Sequence, residues 1–219
     1  MPEIVVFLGP SLPRDKAEQI LQADFRPPAK RGDLFKAAKD GADIICLIDG
    51  VFFQDCSVAH KEILYALEHG IRVIGASSMG ALRASELDVY GMEGVGEIYQ
   101  AYKRGRLVSD DEVALIFDPF TWEPRSEPLV NIRFNLDNAW QRGIIDTTTR
   151  DRLFRCAESF YFPERSYERV MQAAEGRVAA EMLQRFSEFI NTERRDFKTE
   201  DAILALQRVK AIANESIEV

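Results

Sequence analysis

Histidine and cysteine are scarce in this sequence: two and three, respectively, among 219 residues. Cys46, Cys56 and Cys156 are an odd number at irregular spacing with no CxxC pair. That excludes a disulfide framework and a structural zinc site, and it fits a reducing compartment. Basic residues are outnumbered, 28 Lys and Arg against 36 Asp and Glu, for a net charge of −8. A protein built to hold a phosphate backbone needs clustered positive charge, so no nucleic-acid partner is expected. No apolar run approaches the roughly 18 residues of a membrane span, so no membrane partner is expected either. The first apolar run, Ile4 to Leu8, is short and has no basic stretch ahead of it. It reads as a strand rather than a signal peptide, and cytoplasm is the expected compartment. A glycine-rich nucleotide fingerprint and a P-loop are both missing; Gly91, Gly94 and Gly96 follow no expected strand. No cofactor and no metal are expected. Repeats and low-complexity segments are absent.

What is present is an ordinary globular composition, 46% hydrophobic and 29% charged, enough to build a core. Ile4–Leu8, Asp43–Ile48 and Ile71–Ile74 are apolar on both faces and each is closed by glycine: Gly9, Gly50 and Gly75. Such runs read as central parallel strands buried between helices. Helical patterns separate them, over Asp33–Lys39, Ser57–His69 and the residues after Gly80, and another covers Glu97–Arg104. Asp110–Phe117 suits a fourth strand or a short acidic helix. Beyond Pro119, Pro124 and Pro128 the chain reads as helices only: Val130–Arg142, Thr148–Phe160, Glu164–Glu175, Val178–Asn191 and Thr199–Ala213. The expected fold is α/β, a Rossmann-like parallel sheet flanked by helices, with an all-helical C-terminal extension. The expected domains are residues 1–118 and 119–219.

In an open parallel sheet, ligands bind beyond the carboxyl ends of the strands. The three strand ends here carry Gly9-Pro10-Ser11, Asp49-Gly50 and Ser77-Ser78-Met79-Gly80. Ala76-Ser77-Ser78-Met79-Gly80 fits small-x-Ser-x-Gly at a strand-to-helix turn, the pattern of a nucleophile elbow. The small residues permit the tight turn, and the amides of the helix start can stabilise an oxyanion. A serine that merely caps the helix or binds an anion fits the same spacing. A serine nucleophile needs a base. His60, in the first turn of a helix near the same rim, is the candidate; as a lone histidine on an apolar stripe it also suits the core. His69, at a helix end, suits a solvated position. Asp49 is an orienter for the base or a carboxylate that organises its loop. The chain order Asp, His, Ser is not that of the α/β-hydrolases. Cys56, four residues before His60, is a lesser nucleophile candidate. Arg83 and Glu86 form either a surface pair one turn apart or a clamp for an anionic group.

Several ordered blocks resemble the TfuA-like family. They are Gly9-Pro10-Ser11-Leu12, Pro27-Pro28-Ala29 with Gly32-Asp33, Asp49-Gly50-Val51-Phe52, and His60-Lys61-Glu62-Ile63. Gly75-Ala76-Ser77-Ser78-Met79-Gly80-Ala81-Leu82-Arg83-Ala84 with Glu86 follows, then Gly91-Met92 with Gly94 and Gly96, and then Asp110-Asp111-Glu112-Val113-Ala114. A later segment, Ser126 to Arg133, is similar as well. The resemblance runs from about residue 4 to about 116 and implies a protein that accompanies a YcaO enzyme in installing backbone thioamides. The implied activity is hydrolysis of a thiocarboxylated, ThiS-like sulfur carrier, releasing sulfide for the ATP-dependent YcaO partner. On this reading Ser78, Ser77, His60 and Asp49 are the catalytic candidates, with Ser78 preferred as nucleophile; a water held by His60 or Asp49, with the serines as donors, suits the same chemistry. Gly9, Ser11, Gly50, Lys61, Gly80, Arg83 and Glu86 are the substrate-binding candidates, and Gly9, Gly50, Gly75 and Gly80 are expected to line a slot for the carrier's Gly-Gly tail. A non-catalytic adaptor that docks both partners is the alternative, and a sensor of anionic small molecules is a third reading. Homo-oligomerisation is left open.

Overall fold

Ile- and Val-rich runs too short for helices pair side by side in this chain, because each can bury both faces only between layers of helix. A computed structural model describes residues 2–52 and 56–215. Five strands, β1 (Ile4–Phe7), β2 (Asp24–Arg26), β3 (Ile44–Leu47), β4 (Arg72–Ala76) and β5 (Glu93–Val95), form one parallel sheet in the order β2-β1-β3-β4-β5. The three expected strands are its centre. The two edges escaped the sequence pattern: Asp24-Phe25-Arg26 is short and charged, and Glu93-Gly94-Val95 lies inside the glycine-rich stretch read as a break. Edge strands of this kind bury little and carry little periodicity.

The chain divides into two units, one of Met1–Asp110 with Lys198–Val219 and the other of Asp111–Phe197. In the first, alternate strand residues face opposite layers. Val6, Leu8, Cys46, Ile48, Ile74 and Ala76 share one apolar core with α1 (Arg14–Ile20) and with the last helix, α10 (Phe197–Glu215), through Ala202, Ala205, Leu206, Val209 and Ile212. Val5, Phe7, Ile45, Leu47 and Val73 share the other with α2 (Asp33–Lys39), α3 (His60–Glu68) and α4 (Met79–Leu87). A linear division at residue 118 therefore does not describe how the chain is built: residues from Lys198 onward return to the sheet, because one of its faces has otherwise only the seven-residue α1 to cover it.

The helix α5 (Glu97–Lys103) is capped from α10. Asp201 accepts hydrogen bonds from the Glu97 and Ile98 amides, both at 2.8 Å. Burial nevertheless pushes its carboxyl up to about 6, against the pull of those two amides and with Glu97 and Glu200 adding repulsion. The second unit holds α6 (Leu129–Gln141), α7 (Thr147–Ser159), α8 (Tyr167–Ala174) and α9 (Ala180–Glu193) around their own apolar core. Asp110–Phe117 is neither strand nor α-helix: a single 3-10 turn at Asp110–Glu112 gives way to irregular chain with one bridge, Phe117 to Pro124. No helix among the described residues is long and apolar enough to cross a membrane.

Of the glycines in the first unit, Gly80 leaves the least room for a side chain. A Cβ there would lie 1.7 Å from the Leu47 carbonyl oxygen, and one on Gly75 would lie 2.3 Å from the Gly80 carbonyl oxygen. The start of α4 thus rests backbone on backbone against β3 and β4. Gly80→Ala is expected to destabilise the fold by roughly 3 kcal/mol or more, read from urea denaturation. The Asp201 carboxyl gives a pH dependence of the opposite sense to a salt-bridged carboxylate. Its native pKa, about 6, is above the roughly 3.9 of an unfolded chain, so the native state binds the proton more tightly. Its contribution to stability is full below about pH 4 and is lost as pH rises through about 6. Asp201→Asn is expected to flatten that part of the profile when denaturation midpoints are compared from pH 4 to 7.5.

Candidate functional site

The rim of the sheet at β1, β3 and β4 brings three predicted residues into one hydrogen-bonded chain. Asp49, just past β3, accepts from the Gly9 amide (2.9 Å) and the Ser11 amide (3.1 Å) through Oδ2, and from Ser11 Oγ (2.7 Å) through Oδ1. Ser77 Oγ in turn donates to Ser11 Oγ at 2.9 Å. The carboxylate has all its partners on the loop after β1, so Asp49 organises that loop and does not orient His60. Its burial is tolerable because three donors compensate the lost hydration.

Ser77 has φ +65°, one of two non-glycine residues with positive φ among those described. The Ser78 amide donates across it to the Ala76 carbonyl at 2.8 Å, closing a γ-turn of the strained hand. The small-x-Ser-x-Gly pattern placed the turn correctly but centred it one residue late: the strained residue is Ser77, and Ser78 is the N-cap of α4. The side chain of Ser78 makes no capping bond, so the bland reading of a simple capping serine does not describe this turn. The helix-start amides are only in part free for an oxyanion. Gly80 N–H donates to the Ile48 carbonyl (3.2 Å) and Ser78 N–H is used in the γ-turn. Met79, at the first helical position, has no intrahelical acceptor for its N–H.

His60 belongs to a different cluster. Its Nε2 lies 2.8 Å from Glu86 Oε2, and Arg83 Nη1 donates to the same oxygen at 2.7 Å. Arg83 Nε is anchored on the Val58 carbonyl at 2.9 Å. No hydrogen bond joins His60 to Ser77 or Ser78 among the described residues. The two clusters also differ in exposure. Ser77, Ser11, Ser78 and Asp49 are exposed by 2% or less, whereas the His60 and Glu86 side chains are exposed by 47% and 36%. Arg83 and Glu86 are thus the expected one-turn pair, with the imidazole as an unforeseen third member.

The remaining candidates lie outside both clusters. Lys61 is exposed on α3. Gly50 and Gly80 do not line an open slot: a Cβ on Gly50 would fall 2.8 Å from Met79 Cγ, and Gly80 and Gly75 close on the strands as above. Glu62 caps α3, accepting from the Ala59 amide (3.1 Å) and also from the Gly32 amide (2.8 Å). His69 Nδ1 lies 2.8 Å from the Tyr65 carbonyl, and its ring rests on Tyr65. Cys56 is exposed and Cys46 is buried, its thiol pushed up to about 12 by that burial. Phe53, Gln54 and Asp55, which lead into Cys56, lie outside the described residues. In the second unit the later motif residues form ion pairs: Glu112 with Arg133, and Asp111 with Arg165 at 2.7 Å. Among the described residues no cluster of His, Cys, Asp and Glu could hold a metal ion.

An open parallel sheet with a strained serine turn and a buried carboxylate at its carboxyl rim is the class of protein defined so far. A family model described as TfuA-like protein matches residues 49–166, more than half of the chain. The chain belongs to the TfuA-like family. No curated protein matches it. The matched stretch takes in Asp49, His60, Ser77, Ser78, Arg83 and Glu86, and it leaves out Gly9, Ser11 and α10.

Backbone strain at Ser77 has a direct consequence. Ser77→Ala and Ser77→Gly lose the same hydroxyl, but only glycine adopts positive φ without strain. Ser77→Gly is expected to be more stable than Ser77→Ala by about 1 kcal/mol or more in urea denaturation.

Proposed function

We propose that this protein hydrolyses a thiocarboxylated, ThiS-like sulfur carrier and hands the released sulfide to a YcaO enzyme for peptide thioamidation. Family membership supports the setting, since TfuA-like proteins work with YcaO-type partners. The observation that carries the chemistry is Ser77: a hydroxyl on a strained strand-to-helix turn, donating into Ser11 and through it to Asp49.

The chain of three supplies a path for a proton. As Ser77 Oγ attacks the thiocarboxylate carbon, its proton moves to Ser11 Oγ and the Ser11 proton moves to Asp49. The tetrahedral oxyanion faces the Met79 amide, and its collapse breaks the C–S bond, with Asp49 returning its proton to Ser11 and Ser11 Oγ–H protonating the departing sulfur, to leave hydrosulfide and a seryl ester. Water then attacks the ester, one of its protons passing through Ser11 to Ser77 Oγ as the C–O bond breaks and the other leaving to solvent, which regenerates Ser77 and releases the carrier's carboxylate. The strained turn is consistent with a residue held for reaction rather than for stability. His60 sits outside this path. Because Ser77 is buried, the rim must open to admit an extended carrier tail.

That same burial, with His60 paired to Glu86 instead of a serine, favours the second reading: an adaptor that docks the YcaO enzyme and the carrier and performs no chemistry. Turnover by the purified protein, without YcaO or ATP, separates the two. With a thiocarboxylated carrier as substrate, Ser77→Ala is expected to lower sulfide release at least about a hundredfold, while Ser78→Ala stays near the parental rate. Parental release by Ser77→Ala would sink the covalent role, and no release by the parent would leave the adaptor.

A further inference from the structure

The loop Gly9–Leu12 carries both amides and the hydroxyl that meet Asp49, yet it has no helix or strand of its own to hold it. Its fixed point on the other side comes from far along the chain. Thr199 Oγ1, in the first turn of α10, donates to the Ser11 carbonyl oxygen at 2.8 Å. Thr199 lies 188 residues from Ser11 and beyond the family-matched stretch. A buried carbonyl needs a donor, and an unmet one lets its peptide plane turn toward any other. The Ser11 carbonyl carbon is bonded to the Cα that also carries its amide nitrogen and its side chain, so losing this anchor frees that Cα to shift, and with it the amide that meets Asp49 and the hydroxyl that links Asp49 to Ser77. The helix that supplies the donor cannot drift, because Ala202, Ala205, Leu206 and Val209 are in the core and Asp201 is tied to the start of α5.

We propose that Thr199 is a positioning residue for the Ser77–Ser11–Asp49 chain, holding Ser11 in register through its backbone carbonyl. As a catalytic statement this rests on Ser77 being the acyl acceptor. As a structural one it rests on the hydrogen bond alone, and two readouts on the full chain keep them apart. The first is sulfide release from a ubiquitin-like carrier thiocarboxylated at its Gly-Gly terminus. Thr199→Val, which keeps the shape and removes the hydroxyl, is expected to lower kcat about tenfold with KM within about twofold. Thr199→Ser, which restores the hydroxyl, is expected to return kcat to near the parental value. The second readout is amide hydrogen exchange over residues 9–12, expected to accelerate in Thr199→Val and not in Thr199→Ser. Parental kcat in Thr199→Val overturns the proposal, as does equal loss in both variants with a lowered melting temperature. A parent that releases no sulfide overturns the hydrolase reading by itself. In that case exchange decides: acceleration in Thr199→Val alone supports the positioning role, and unchanged exchange overturns it.

Discussion

One carboxylate holds the rim of the sheet together. Asp49 follows the central strand β3 and binds three donors of the loop that follows its neighbour β1. A carboxyl group this deep is tolerated only if hydrogen bonds replace its hydration, so the loop's path is dictated by the oxygens it must satisfy. Ser11 is fixed as one of those donors, Ser77 finds its partner in Ser11, and the γ-turn at the end of β4 follows from where Ser77 must point. Thr199 closes the arrangement from the opposite side. The position of every group in the chain is thus set by register between adjacent strands and by one buried carboxyl group.

The centre of the fold was legible because physics leaves a strong pattern there. A strand buried on both faces has to be apolar throughout, and Ile44-Ile45-Cys46-Leu47 can hardly be anything else. Edges leave no such trace, which is why Asp24–Arg26 and Glu93–Val95 passed unseen. The C-terminal helices were readable one by one, but the partner of each was not. Nothing in the spacing of Ala202, Leu206 and Val209 distinguishes a helix bound for a neighbouring helix from one bound for the sheet.

The site was half legible for a similar reason. Local sequence fixes that a turn follows β4 and that Ser77, Ser78 and Gly80 belong to it. Which serine takes the strained conformation depends on Gly80 pressing against the Leu47 carbonyl and on Ser11 waiting across the rim. Both are contacts between segments remote in sequence. His60 shows the converse, since its place at a helix start suggested a base for the serine, while the side chains facing it, Glu86 and Arg83, direct it elsewhere. The Asp111 and Glu112 carboxylates of the acidic motif are likewise spoken for, each by an arginine tens of residues away.

The return of α10 to the sheet has a bearing on how the chain reaches its native state. One face of the sheet, with Val6, Cys46, Ile48 and Ile74, is built within the first 76 residues, yet its main cover is the helix from Phe197 to Glu215. During synthesis that face stays open while more than a hundred intervening residues emerge. The nascent sheet therefore carries a large apolar surface through most of translation, and its consolidation belongs to the late, slow class of long-range closures.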